Sequence, residues 1–477
     1  MGAAMTDEYD LIVLGGGPVG ENVADRAVQG GLTAVIVESE LVGGECSYWA
    51  CMPSKALLRS AQALRAAQHV EGAAQAVTGR LDVSAVFARR DSFTSNWSDD
   101  GQVRWLESAG IDLVRGHGRL SGEREVTVTD ADGATRVLRA RHAVAISTGS
   151  DAVIPPIEGL REANPWTSRE ATSAQELPES LAVIGGGVVA VEMATAYAAL
   201  GSTVTLIARS GLLGGMEPFA GERVSAGLRE LGVDVRTSTG TTAVRRDDDG
   251  VTITLDDGST VTASEVLAAT GRSPRSDDIG LETVGLEPGR WIEVDDTLRV
   301  PGSDWLYAVG DVNGRVLLTH QGKYQARAAG DVIAARAKGG EIDDAPWGRH
   351  VASADHRAVP QVTFSIPEVG SVGLTEKAAT DAGLAVRSVD YDLGWVAGAS
   401  LYEDGFAGQA RLVVDTDREV VVGATFVGPE VAELVQAATI AVVGEVPLSR
   451  LWHAVPSYPT VSEIWLRLLE AYGRDSA

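Results

Sequence analysis

Tyr9-Asp10-Leu11-Ile12-Val13-Leu14-Gly15-Gly16-Gly17-Pro18-Val19-Gly20 opens the stretch that decides the fold of this 477-residue chain, and Thr33-Ala34-Val35-Ile36-Val37-Glu38 closes it. The first apolar run reads as a buried parallel strand. Three glycines follow, then an Ala-rich segment at helical spacing through Ala27, then a second apolar run ending in a carboxylate. Strand, glycine turn, helix, strand and acid make a dinucleotide-binding unit. Gly15, Gly17 and Gly20 allow a tight turn in which backbone N–H groups approach a pyrophosphate at a helix N-terminus. Glu38 is placed to accept hydrogen bonds from a ribose diol.

The unit recurs. Leu181-Ala182-Val183-Ile184 runs into Gly185-Gly186-Gly187-Val188-Val189-Ala190, a helix through about Leu200, and Thr203-Val204-Thr205-Leu206-Ile207. Gly185, Gly187 and Ala190 hold the places of the second glycine turn, so one chain is expected to bind two nucleotides. The second strand ends in Ala208-Arg209 rather than in an acid. A carboxylate there suits the 2′-hydroxyl of NAD, whereas arginine suits the 2′-phosphate of NADP. Arg209 therefore favours NADPH over NADH.

Ala143–Ser150 and Val266–Arg272 read as strands that enter small-residue turns and carry the chain between the two nucleotide units. Between them, Val251–Leu255 and Val261 flank Asp256-Asp257-Gly258 as a β-hairpin. Trp305–Asp311 is a further buried strand. Past Trp347 the pattern changes to alternating strands at Val359–Phe364, Ala410–Asp415 and Val420–Phe426, followed by an apolar helix from Pro429. The fold class is α/β: two Rossmann-like dinucleotide-binding domains and a C-terminal α+β domain. The expected boundaries are 1–154, 155–275, a central domain at 276–346, and 347–477.

Composition is that of a globular protein, 44% hydrophobic and 22% charged, with a formal net charge of −26. That charge excludes nucleic acid and anionic membrane as partners. No basic-then-apolar leader opens the sequence, and a cytoplasmic location is expected. Histidines show no metal-ligand spacing, so no metal is expected.

The two cysteines of the whole chain, Cys46 and Cys51, lie in Gly43-Gly44-Glu45-Cys46-Ser47-Tyr48-Trp49-Ala50-Cys51-Met52-Pro53-Ser54-Lys55. Four intervening residues let the sulfurs meet across one helical turn. A loop this small removes little unfolded-state entropy, so stapling is a poor reason for it. A redox-active dithiol is the better one.

These motifs resemble the FAD-dependent pyridine nucleotide–disulfide oxidoreductases of the glutathione reductase, lipoamide dehydrogenase and mercuric reductase type. The similarity runs nearly end to end. It includes Thr148-Gly149, Gly271-Arg272-Ser273-Pro274, Ala308-Val309-Gly310-Asp311 and Val369–Thr375. The resemblance implies a homodimer that passes electrons from NAD(P)H through FAD to the Cys46–Cys51 disulfide and on to a small acceptor. Cys51 would lie against the flavin and Cys46 would face the acceptor. Lys55 and Glu192 match an ion pair beside the flavin. Gly44, Thr148, Gly149, Gly271, Arg272, Gly310, Asp311 and His320 are implied around the nucleotide cofactors, Asp311 at the ribityl chain. Val188 replaces a tyrosine that gates the nicotinamide pocket in some members.

Two departures stand out. The family carries His-Pro-Thr followed by Ser-Glu near its C-terminus, with the histidine serving the partner subunit's dithiol. This chain reads Tyr458-Pro459-Thr460-Val461-Ser462-Glu463. A phenol titrating near ~10 is a poor base at neutral pH, although it can donate a hydrogen bond. By resemblance, Tyr458–Pro459 is expected to be cis. Tyr48 and Trp49 enlarge the dithiol loop, narrowing access to Cys46 or offering a stacking surface. The cysteine pair that mercuric reductases need near the C-terminus is absent. The acceptor stays open between a disulfide and a quinone-like oxidant meeting the flavin directly. A redox sensor without dedicated turnover is the competing class.

Overall fold

The computed structural model describes residues 7–473, which form two compact units. The first comprises Met1–Pro53, Asp91–Val153 and Gly271–Asp355. Its sheet is built on Asp7–Leu14, which pairs in parallel with Ala34–Glu38 on one side and Thr135–Ile146 on the other. Asp112–Arg115 extends one edge in parallel, and Leu306–Ala308 adds to the far side of Thr135–Ile146. Leu11 to Leu14 and Val35 to Val37 are buried on both faces, as continuous apolar runs in a parallel sheet must be. Helices Pro18–Gln29 and Thr319–Ala337 cover one face, packed on Val23, Ala27, Ala326 and Ala329.

The second unit comprises Ser54–Arg90, Ile154–Thr270 and His356–Ala477. Its parallel sheet runs Asp234–Arg236, Thr203–Ile207, Ser180–Ile184 and Glu265–Ala268. Helix Val188–Leu200 packs on it with apolar residues nearly all round. An antiparallel sheet of Pro360–Thr363, Glu368–Gly373, Val420–Gly428, Gln409–Asp415 and Val386–Asp392 forms the C-terminal α+β region. The expected hairpin is present, with Gly250–Leu255 antiparallel to Thr260–Ala263, and Thr241–Asp247 adds a third strand along Gly250–Leu255. One expectation is corrected here. The helix expected from Pro429 starts only at Val435, after a left-handed Glu430 (φ 50) and a 3-10 turn at Val431–Leu434. No helix among the described residues is long and apolar enough to cross a membrane.

Candidate active site

In the first unit the glycine turn is closed to side chains. A Cβ on Gly15 would lie 2.5 Å from Ser147 O, one on Gly20 would lie 2.0 Å from Gly15 O, and one on Gly44 would lie 2.9 Å from Gly17 Cα. Helix Pro18–Gln29 is capped by Gly17 with no side-chain hydrogen bond, and its proline start removes one N–H, so the remaining first-turn N–H groups are left for a ligand. Glu38 stands at the cradle's edge, accepting from Gly16 N–H at 2.6 Å and Glu40 N–H at 2.7 Å. Gly310 (φ 83) sets Asp311 beside Ser150, whose hydroxyl donates to Asp311 Oδ2 at 2.6 Å, with Arg272 Nε 4.0 Å from the same oxygen. Burial raises the Asp311 carboxyl. Thr148 Oγ1 donates to Arg275 O at 2.7 Å, and Gly149 (φ 77) and Gly271 (φ 143) have open space where a Cβ would be. An uncapped helix N-terminus, a cradle without side chains, and two acids for hydroxyl groups fit the diphosphate, ribose and ribityl parts of FAD.

Glu21 was not singled out from the sequence. It sits in the first turn of the same helix, and burial pushes its carboxyl up to about 7, Lys323 opposing and Glu38 adding to the rise. A carboxylate directly after Gly20 is the signal that could have found it.

The dithiol loop is not one helical turn. Cys46 lies in a short helix, Gly44–Tyr48, which ends at Trp49 (φ −137, ψ 3), and Cys51 begins a separate helix, Cys51–Gln68. Both cysteines are half-buried. Cys51 Sγ lies 3.4 Å from Thr319 Oγ1, a contact between residues 268 apart that no local pattern announces. Tyr48 does not line an access path. It is 1% exposed, its hydroxyl donates to Val42 O at 3.0 Å, and Trp97 Nε1 donates to its carbonyl. It belongs to the interior, with Trp49 packed edge-on at 5.7 Å. His320 is exposed at the second residue of helix Thr319–Ala337.

In the second unit Lys55 Nζ donates to Glu192 Oε2 at 2.8 Å and stands 5.1 Å over the Phe364 ring. Glu192 Oε1 accepts from Phe364 N–H at 2.9 Å, so a carboxylate with 4% of its side chain exposed has both oxygens answered. Gly185 (φ 138) would place a Cβ 2.1 Å from Ala269 O; Gly187 opens an uncapped helix whose first turn carries buried Ala190. Arg209 is exposed just past Ile207, and the following loop folds back through Leu213 N–H to Gly186 O at 2.8 Å. Tyr458 is 76% exposed and is joined to Pro459 by a cis peptide bond. Its phenol has no hydrogen-bond partner among the described residues. Glu463 is buried, with Oε1 accepting from Arg467 at 3.1 Å and Oε2 unpartnered. The structure thus brings Lys55 to Glu192 and Asp311 to Arg272, while no hydrogen bond joins Tyr458 to Glu463. No His/Cys/Asp/Glu cluster suited to a metal occurs among the described residues.

Residues 9–327 match the pyridine nucleotide-disulphide oxidoreductase family, and residues 359–468 match its dimerisation domain. The chain belongs to that family. It is an FAD-dependent flavoprotein oxidoreductase that uses a pyridine nucleotide. It is 33% identical to mercuric reductase of Streptomyces lividans over 98% of this chain and 97% of that one. It is 31% identical to dihydrolipoyl dehydrogenase of Haloferax volcanii over 97% and 95%. The fold is shared with the flavoprotein disulfide reductase RclA of Escherichia coli, solved as a Cu(II) complex, at a TM-score of 0.83 and 21% identity over 98% of this chain and 99% of that one.

Proposed function

We propose that this enzyme takes electrons from NADPH and delivers them, through Cys51 and then Cys46, to a small disulfide acceptor. The observation that carries the reading is the placement of the only two cysteines: Cys51 at the first residue of an 18-residue helix with a hydroxyl 3.4 Å away, Cys46 one short helix earlier. A helix N-terminus and a hydrogen bond both favour the thiolate, the nucleophilic form. FAD, when bound, supplies the relay of reducing equivalents from the nicotinamide to the dithiol. Gly15, Gly17, Gly20, Gly44 and Glu38 would hold its diphosphate and ribose, and Asp311 its ribityl chain. Gly185, Gly187 and Arg209 would hold the coenzyme, Arg209 at the 2′-phosphate. Lys55 holds a positive charge in place through Glu192.

The residue ranges 1–154, 155–275, 276–346 and 347–477 are assigned to FAD, coenzyme, completion of the FAD site, and dimerisation. Two copies of the chain pair through the last of these. The exposed apolar side chains of Ile440 and Val443, 60% and 39% exposed on helix Val435–Val443, support that pairing. Tyr458, exposed on its turn, would serve the partner subunit's dithiol as a hydrogen-bond donor rather than as a base. Mercuric ion is a poor acceptor here, because no cysteine follows Cys51. The absence of an imidazole at position 458 makes lipoamide- and glutathione-like disulfides slow substrates. A cytoplasmic location agrees with an enzyme that needs a reduced coenzyme pool.

The test is Cys46→Ser in the holoenzyme. FAD stays bound and is reduced by NADPH, while reduction of a chromogenic aryl disulfide disappears. Undiminished disulfide reduction by this variant overturns the assignment.

A further inference from the structure

The residue before Cys46 is held by an ion pair that reaches across the first unit. Arg275 Nη2 donates to Glu45 Oε1 at 2.8 Å, and Arg275 Nε donates to Asp151 Oδ1 at 2.6 Å. The Glu45 side chain is 19% exposed and that of Arg275 28%, so both charges lean on each other more than on water. Arg275 is itself fixed at its backbone. Its N–H donates to Gly149 O at 3.0 Å and its carbonyl accepts from Thr148 Oγ1 at 2.7 Å. Asp151 lies on Ser150–Ala152, which pairs antiparallel with Arg272–Pro274. The guanidinium is therefore a post planted in the two-stranded ribbon by which the chain leaves and re-enters this unit.

The helix that carries Cys46 needs such a post. Gly44–Tyr48 is five residues long, has no side-chain cap, follows a left-handed Gly43 (φ 109) and begins with a left-handed Gly44 (φ 54). A single turn of helix has no stability of its own. Its far end is tied by Tyr48 to Val42 and Trp97. Its near end is tied by Glu45, whose carbonyl also accepts from Trp49 N–H at 2.8 Å to close the turn. Cys46 lies between the two ties.

We propose that Arg275 and Glu45 are a positioning pair that fixes Cys46 for nucleophilic attack. Loss of Arg275 would remove the cation that Glu45 and Asp151 share at the start of the Cys46 turn. The turn would then loosen where the thiol must be presented. The proposal rests on Cys46 being the acceptor-facing thiol.

The experiment follows alkylation of the NADPH-reduced holoenzyme by iodoacetamide against pH, a reaction in which the Cys46 thiolate forms a C–S bond and iodide leaves. Peptide mapping locates the label. Arg275→Gln should slow labelling of Cys46 and turnover of an aryl disulfide by about tenfold, with FAD content and flavin reduction by NADPH unchanged. Arg275→Lys should recover most of the rate, and Arg275→Gln with Glu45→Gln should be faster than Arg275→Gln alone, because one of the two carboxylates that shared Arg275 no longer carries charge. Should Arg275→Gln fail to fold or to keep FAD, Glu45→Ala alone carries the test, since it removes the accepting carboxylate and leaves Arg275 on Asp151. Labelling of Cys46 at the unmodified rate in a folded, FAD-containing Arg275→Gln or Glu45→Ala protein overturns the proposal. So does a slowing that neither the lysine nor the double substitution relieves. Failure of the underlying reading looks different: Cys46→Ser would keep reducing disulfides.

Discussion

Replacing Lys55 with methionine removes the cation from a pair whose other member cannot reach water. Glu192 has 4% of its side chain exposed, while Lys55 has 36%. The two halves of the pair are therefore unequal. Without Lys55, Glu192 keeps only the Phe364 N–H, and its charge stays buried. Breaking a buried pair this way costs ~3–5 kcal/mol, and the surviving N–H holds this case near the lower figure. Glu192→Gln is milder. The amide oxygen still accepts from Phe364, and Lys55 can swing its ammonium further into solvent, so the loss is ~1 kcal/mol. Lys55→Met with Glu192→Leu replaces both charges by apolar groups and should recover most of the loss. The assay is urea unfolding at pH 8 followed by tryptophan fluorescence. With a slope of ~3 kcal/mol per molar, Lys55→Met should lower the midpoint by about 1 M. Equal costs for Lys55→Met and Glu192→Gln would refute the reasoning.

Three further outcomes are expected. Arg209→Glu should raise the KM for NADPH roughly ten- to two-hundredfold, the equivalent of a lost charge-assisted contact of ~1.5–3 kcal/mol, and leave NADH nearly unchanged; equal use of both coenzymes by the unmodified enzyme would contradict this. Tyr458→His should speed reduction of lipoamide-like disulfides by roughly 10²-fold, the low end for general-base catalysis, because Glu463 has one free oxygen but is already engaged by Arg467; steady-state rates for the two proteins decide it. Burial pushes the Glu368 carboxyl up to about 7, where it accepts from Gln62 at 3.1 Å and Ala432 N–H at 3.3 Å. Glu368→Gln should match the unmodified protein at pH 5 and exceed it by ~1–3 kcal/mol at pH 8, as measured by denaturation at both pH values.

What the sequence disclosed follows from how local each feature is. The two strand–glycine–helix units are legible because apolar period, glycine placement and terminal residue all lie within thirty positions. Gly15, with Ser147 O where a Cβ would go, shows why that residue type is needed. The dithiol is legible as chemistry but not as geometry. The break at Trp49 and the burial of Tyr48 depend on Val42 and Trp97, which no helical or strand period connects to Cys46. Thr319 and Arg275 were invisible for the same reason, since each meets the dithiol region from more than 200 residues away. The late start of the helix at Val435 was missed because Glu430 adopts a left-handed backbone that its residue type does not announce.

The central claim is that Cys46 and Cys51 form the redox-active disulfide of the working enzyme. Its most direct test is an anaerobic titration of the isolated FAD-containing protein with NADPH, with accessible thiols counted in denaturant before and after. The account predicts no thiol before reduction and two per chain after it, both on the segment spanning Cys46 and Cys51, with the second pair of electrons taken up beyond the pair that reduces FAD. Two thiols at the outset under non-reducing conditions, or uptake that stops at one pair of electrons with no new thiol, would contradict it.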